Sequence, residues 1–109
     1  MTNAQHTDEL ANLIEQIEEG WKVKIIDHDY LNASRDDVTV TGVRDGAVIL
    51  TPKKPWASQG RSYPTVVLTW RGDLEVEGTR VRLYHTPPPR TGKPRRLVRT
   101  YVFSPPSVR

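Results

Sequence analysis

The sequence predicts an α+β domain in which one N-terminal amphipathic helix caps a small, strongly bent antiparallel β-sheet or barrel of about seven strands, SH3-like or OB-like. Three observations lead there. Apolar residues recur with a helical period over 8–19 and with a period of two from residue 21 onward. Turn residues rather than helices separate the strands, which implies antiparallel pairing. The β part, 21–103, covers about 80 residues, so its sheet must curl or close to bury a face. A chain of 109 residues makes one domain, 1–109, with the tails 1–6 and 104–109 expected to be mobile.

The helix is marked by Thr7 as N-cap, by Asp8 and Glu9 at the positive end of the dipole, and by Gly20 as its stop. Between them Leu10, Leu13, Ile14 and Ile17 form one apolar stripe, while Glu15, Gln16, Glu18 and Glu19 take the other side. A helix this short needs a dock. The following sheet is the expected one, with a partner's groove or a dimer contact as alternatives.

After Gly20, Trp21, Val23 and Ile25 alternate with Lys22, Lys24 and Ile26, the pattern of a half-buried strand. Strands at 38–41 and 48–50 flank an Asp45-Gly46 turn. Further strands are predicted at 65–70, 74–77, 80–84 and 97–103. Arg71, Gly72 and Asp73 form the break between two of them, and Pro105 and Pro106 follow the last.

Composition removes several function classes. There is no cysteine, so disulfides, thiolate metal sites and cysteine nucleophiles are excluded. The apolar run at 47–50 is far shorter than the ~20 residues that span a bilayer. No basic segment precedes an apolar stretch at the N-terminus, and a cytoplasmic location without membrane contact is expected. The net charge of +3 hides an uneven distribution. Residues 1–20 carry five carboxylates and no Lys or Arg; from Gly78 onward the chain carries eight cations and no carboxylate. A basic end of this kind is suited to a polyanion. Arginine outnumbers lysine eleven to five, and the small size suits an accessory protein of a bacterium, plasmid or phage.

Three loops carry the candidate chemistry. The first, 28–37, holds His28 and several aspartates, but its spacing matches no metal-binding loop, so neither a metal nor another cofactor is expected. The second, 51–64, mixes Lys53, Lys54 and Arg61 with Trp56 and Tyr63, pairing phosphate-seeking cations with rings for bases. Its bland alternative has Trp56 folded back over the barrel mouth. The third, 86–96, is rich in proline and expected to project Arg90, Lys93, Arg95 and Arg96 on an extended backbone, between strands that contribute Arg80, Arg82 and Arg99. Catalysis finds little support. His85 beside Tyr84 is the leading acid/base candidate, with no carboxylate that spacing alone can bring to it.

The expected function is therefore a small non-enzymatic nucleic-acid-binding module, for DNA or RNA, using a basic C-terminal β-hairpin. Its contacts would be Arg80, Arg82, Arg90, Lys93, Arg95, Arg96 and Arg99, with Lys53, Lys54, Trp56, Arg61 and Tyr63 as a second set. The alternative is a protein-interaction module (an adaptor, an inhibitor of a host protein, or an assembly factor) whose hairpin meets an acidic protein surface. A homodimer formed through the helix stripe or an open sheet edge is compatible with either.

Overall fold

The computed structural model of the protein describes residues 4–29, 33–58 and 60–106. Helix α1 spans Ala4–Gln16, not 8–19. Its start lies ahead of Thr7, which is an interior helix position rather than the cap, because nothing in Ala4, Gln5 or His6 breaks a helix. Its end comes early because the sheet competes for the last turn. Ile17 N–H still donates to Leu13 O at 3.1 Å, but Gly20 N–H donates to Val40 O at 2.8 Å. Gly20 makes that turn with a φ of +98°, open to glycine and strained for other residues. The apolar stripe docks on the protein's own sheet: Leu13 and Ile17 are buried, and Leu10 packs against the same cluster. Full burial of such a side chain is worth about 1.5–3 kcal/mol.

Nine strands follow: β1 Lys22–Asp27, β2 Ala33–Arg44, β3 Ala47–Pro52, β4 Trp56–Ser58, β5 Arg61–Tyr63, β6 Val66–Thr69, β7 Asp73–Glu77, β8 Arg80–His85 and β9 Arg96–Ser104. Seven of them form one antiparallel sheet in the order β6-β3-β2-β1-β9-β8-β7, and β4 and β5 form a separate hairpin within the second loop. The first loop is shorter than expected, since β2 begins at Ala33; residues 30–32 lie outside the described residues. Of the predicted tails, residues 4–6 belong to α1 and Ser104 pairs with Lys22 in the sheet. Residues 1–3 and 107–109 lie outside the described residues.

Chain connectivity forces the sheet to bend. β6 and β7 are opposite edges, about 29 Å apart if seven strands lay flat at ~4.8 Å spacing. Yet only residues 70–72 join them, and the step from Thr69 to Asp73 can reach roughly 14 Å. The sheet is accordingly a half-barrel. Register shifts between Val23 and Ile25, between Val40 and Gly42, and between Leu83 and Tyr84 supply the local bends. At Gly42 the strands approach closely: a Cβ there would stand 3.1 Å from Ile49 Cδ1.

Period-two alternation then sorts the side chains. Val23, Ile25, Val38, Val40, Val81, Tyr101 and Phe103 fill the concave side together with Leu50, Leu68 and Val76. Lys22 and Lys24 point out between the buried residues of β1. Among the described residues, no helix is long and apolar enough to cross a membrane.

Candidate functional site

The C-terminal cations are not gathered into one free surface. Cross-strand register places Glu75 opposite Arg82 and Glu77 opposite Arg80. Arg82 turns to Glu77 at 3.3 Å. Arg95 donates to Asp73 at 3.1 Å and to Glu75, and its guanidinium carbon lies 3.9 Å from the centre of the Tyr84 ring. Arg96 is held by Asp29, and Arg99 stands 3.8 Å from Asp27 while donating to the Tyr101 hydroxyl at 3.2 Å. Arg80, Arg90 and Lys93 are left without an ion pair among the described residues. The neutralising carboxylates come from β7, from β1 and from the turn after β1, not from the acidic N-terminal segment.

The proline loop departs from the expected extended arm. Residues Pro89–Thr91 form a 3-10 turn that Gly92 closes in the left-handed region at φ +67°. Thr91 donates from its hydroxyl to Pro88 O at 2.8 Å. With Arg95 and Arg96 tied back by carboxylates, Arg90 and Lys93 are the loop's cations without an ion pair among the described residues. His85, the acid/base candidate, is exposed and lies opposite Arg96 in the ladder.

Three of the four aspartates in and beside the first loop are met by an arginine: Asp27 by Arg99, Asp29 by Arg96 and Asp37 by Arg35, while Asp36 is exposed. Arg35 holds Asp37 with two nitrogens, Nε at 3.1 Å and Nη2 at 2.6 Å, and this keeps the Asp37 carboxyl below its ordinary range. His28 Nε2 and Thr100 Oγ1 are 2.9 Å apart.

The second loop brings sequence candidates together. Trp56 opens β4 facing inward and is only 8% exposed, so it is not a free stacking platform. Two guanidinium groups approach its ring, with Arg35 Cζ 5.7 Å and Arg99 Cζ 5.1 Å from the ring centre. Arg35 also donates to Pro55 O at 3.3 Å, pinning the hairpin to β2. Tyr63, opposite Trp56 in the β4–β5 ladder, is 41% exposed. Trp56, Tyr63, Thr65, Val66 and Arg99 line an open cleft of about 310 Å³. Lys53 and Lys54, in the turn that leads into the hairpin, and Arg61 on β5 are exposed and form no ion pair among the described residues. The Arg99 Nε is buried with no protein acceptor among the described residues.

Three residues of this site carry no functional signal in the sequence: Arg35, Thr65 and Val66. For Arg35 a structural cue exists, since Arg35 and Asp37 are two apart on an alternating strand and so share a face. Thr65 and Val66 join the cleft only through the path of the chain into β6. Comparison with protein-family models, with curated proteins and with solved structures finds no match for this chain.

Proposed function

We propose that this protein is a non-enzymatic, cytoplasmic nucleic-acid-binding module that holds a single strand through the β4–β5 hairpin and the cleft beside it. The observation that supports this most is the cleft itself, lined by the exposed Tyr63 ring of β5 and the Arg99 guanidinium of β9, with Lys53, Lys54 and Arg61 in the same loop as Tyr63 and in no ion pair among the described residues. A planar base stacks on a tyrosine face for about 1–3 kcal/mol, whatever its identity. The Arg99 guanidinium, partly exposed in the cleft wall, presents positive charge to a phosphate or base oxygen. Lys53, Lys54 and Arg61 neutralise neighbouring phosphates. At about 310 Å³ the cleft is at the small end of ligand pockets, sized for one ring system and not for a large cofactor.

Fluorescence anisotropy with a labelled single-stranded oligonucleotide at two salt concentrations tests the reading. Tyr63→Ala should weaken binding about 5- to 150-fold, as the loss of one stacked base implies. With three phosphates engaged, log K falls against log salt with a slope near −2, and Lys54→Glu or Arg61→Glu makes it shallower. Arg96→Glu, at a residue already paired with Asp29, should leave the slope where it is. Variants of Tyr63 and Lys54 that bind like the parent sink the proposal.

One observation favours a protein-interaction module as the second reading. β6 is an edge strand without a charged side chain, and its Val67 is 54% exposed. An extended segment of a partner can add to such an edge. A partner retained after nuclease treatment, with no mobility shift on DNA or RNA, would favour that reading.

A further inference from the structure

We infer that the outer face of β8, β9 and β1 is a second contact surface, separate from the cleft, for the sugar–phosphate backbone of duplex nucleic acid. Arg80 pairs with Val102 and Val102 with Lys24, so these three form one row across three strands. In a second row, Ser104 pairs with Lys22 and Lys22 with Thr39. The residues between them along each strand, Val23, Val81, Tyr101 and Phe103, are buried on the concave side, so both rows belong to the convex side. Lys22, Lys24, Arg80 and Ser104 are all exposed.

The spacing is set by the backbone. Lys22 and Lys24 are two residues apart on one strand, about 6.8 Å, and Lys24 and Arg80 are two strand spacings apart, about 9.6 Å. The three cations thus spring from backbone positions at fixed separations, beside half-buried Val102 and small hydroxyl residues. None has an ion-pair partner among the described residues, because Glu77, the cross-strand neighbour of Arg80, pairs with Arg82 instead. The hydroxyls of Ser104 and Thr39 flank Lys22 in the same row and are donors suited to phosphate oxygens.

The partner follows from what these rows lack. The positions 22, 24, 39, 80, 102 and 104 include no aromatic ring, so an unpaired base finds nothing to stack on. Cations with hydroxyl donors and no ring beside them suit phosphates, the sequence-independent part of duplex binding. Arg99, in the cleft, shares the alternation of Tyr101 and Phe103, so cleft and convex rows belong to opposite faces of one sheet. The inference depends on the register alone and holds whether or not the cleft takes a base.

A filter-binding titration of a blunt duplex at 50 and 200 mM salt provides the test. Each phosphate contact adds about 0.9 to the slope of log K against log salt. The double variant Lys22→Ala with Lys24→Ala should therefore make the slope shallower by about 1.8, and Arg80→Ala by about 0.9. Over that salt range the parent then loses about 12-fold more affinity than the double variant. Thermal midpoints equal to the parent's confirm that these exposed substitutions leave the fold intact. Tyr63→Ala serves as the control, with duplex slope unchanged and single-strand binding reduced. A double lysine variant with the parent's duplex slope, or a parent that leaves duplex unbound at 50 mM salt, overturns the inference. Loss of single-strand binding alone bears only on the cleft.

Discussion

Arg95 stacks on Tyr84, with its guanidinium carbon 3.9 Å from the ring centre, and the two side chains share one carboxylate. The Tyr84 hydroxyl donates to Glu75 Oε1 at 3.0 Å while Arg95 donates to Glu75 Oε2. Asp73 completes the group by accepting from Arg95 at 3.1 Å and from the Thr86 hydroxyl. Both ends of the proline loop, at Thr86 and Arg95, are thereby fastened to β7. An arginine with this many partners has little left for a phosphate, and its contribution belongs to folding.

Arg95→Ala is accordingly expected to lower stability by about 1–2 kcal/mol, the sum of an exposed cation–π contact and a partly exposed ion-pair group. The salt slope of nucleic-acid binding should not change. Arg90→Ala, at a residue without an ion pair among the described residues, should leave stability within about 0.5 kcal/mol. Urea denaturation of both variants checks the contrast, which fails if Arg95→Ala matches the parent's midpoint.

Alkaline pH should destabilise the protein through Tyr101. Its ring is buried at 1% exposure, and burial pushes its hydroxyl above the ordinary value of 10.0, against the opposing pull of Arg99. Tyr84 is shifted the same way by burial and by Glu75. A folded-state value above the unfolded one means that stability is full below about pH 10 and is lost as pH rises through the folded value. For Tyr101 the loss approaches about 1.4 kcal/mol per pH unit in that window. Urea midpoints collected from about pH 8.5 to 11.5 should be flat and then fall, and the fall should be shallower in Tyr101→Phe. An identical pH profile in that variant would refute the assignment.

The fold was legible because it depends on periodicity. The stripe of Leu10, Leu13 and Ile17 and the alternation of Val23 and Ile25 each specify a buried face without reference to distant residues. Helix ends depend on more than local propensity. Gly20 gives its N–H to Val40, twenty residues away, so α1 stops at Gln16 although Glu18 and Glu19 are adequate helix formers. The β4–β5 hairpin reads as loop because its strands have three residues each, too short for alternation to register.

The site was legible in its residue types and not in its pairings. The eight cations after Gly78 look unopposed along the chain, but antiparallel pairing lays β7 and its Asp73, Glu75 and Glu77 beside Arg80, Arg82 and Arg95. Asp27 and Asp29 reach Arg99 and Arg96 from some seventy residues away. The same long-range register brings Lys22 and Lys24, unremarkable in sequence, onto one face with Arg80.

Leu13 is 1% exposed within the core shared by β1, β7 and β9, so Leu13→Ala empties a packed site and should cost about 2–5 kcal/mol. Glu15 is exposed on the other side of the same helix, and Glu15→Ala should stay within about 0.5 kcal/mol of the parent. If the stripe were a contact between copies of the chain, the Leu13 deficit would vary with protein concentration and sedimentation would show the association. Docking on the protein's own sheet instead requires a deficit that is the same at every concentration, because the surface that Leu13 covers is joined to it by the covalent chain.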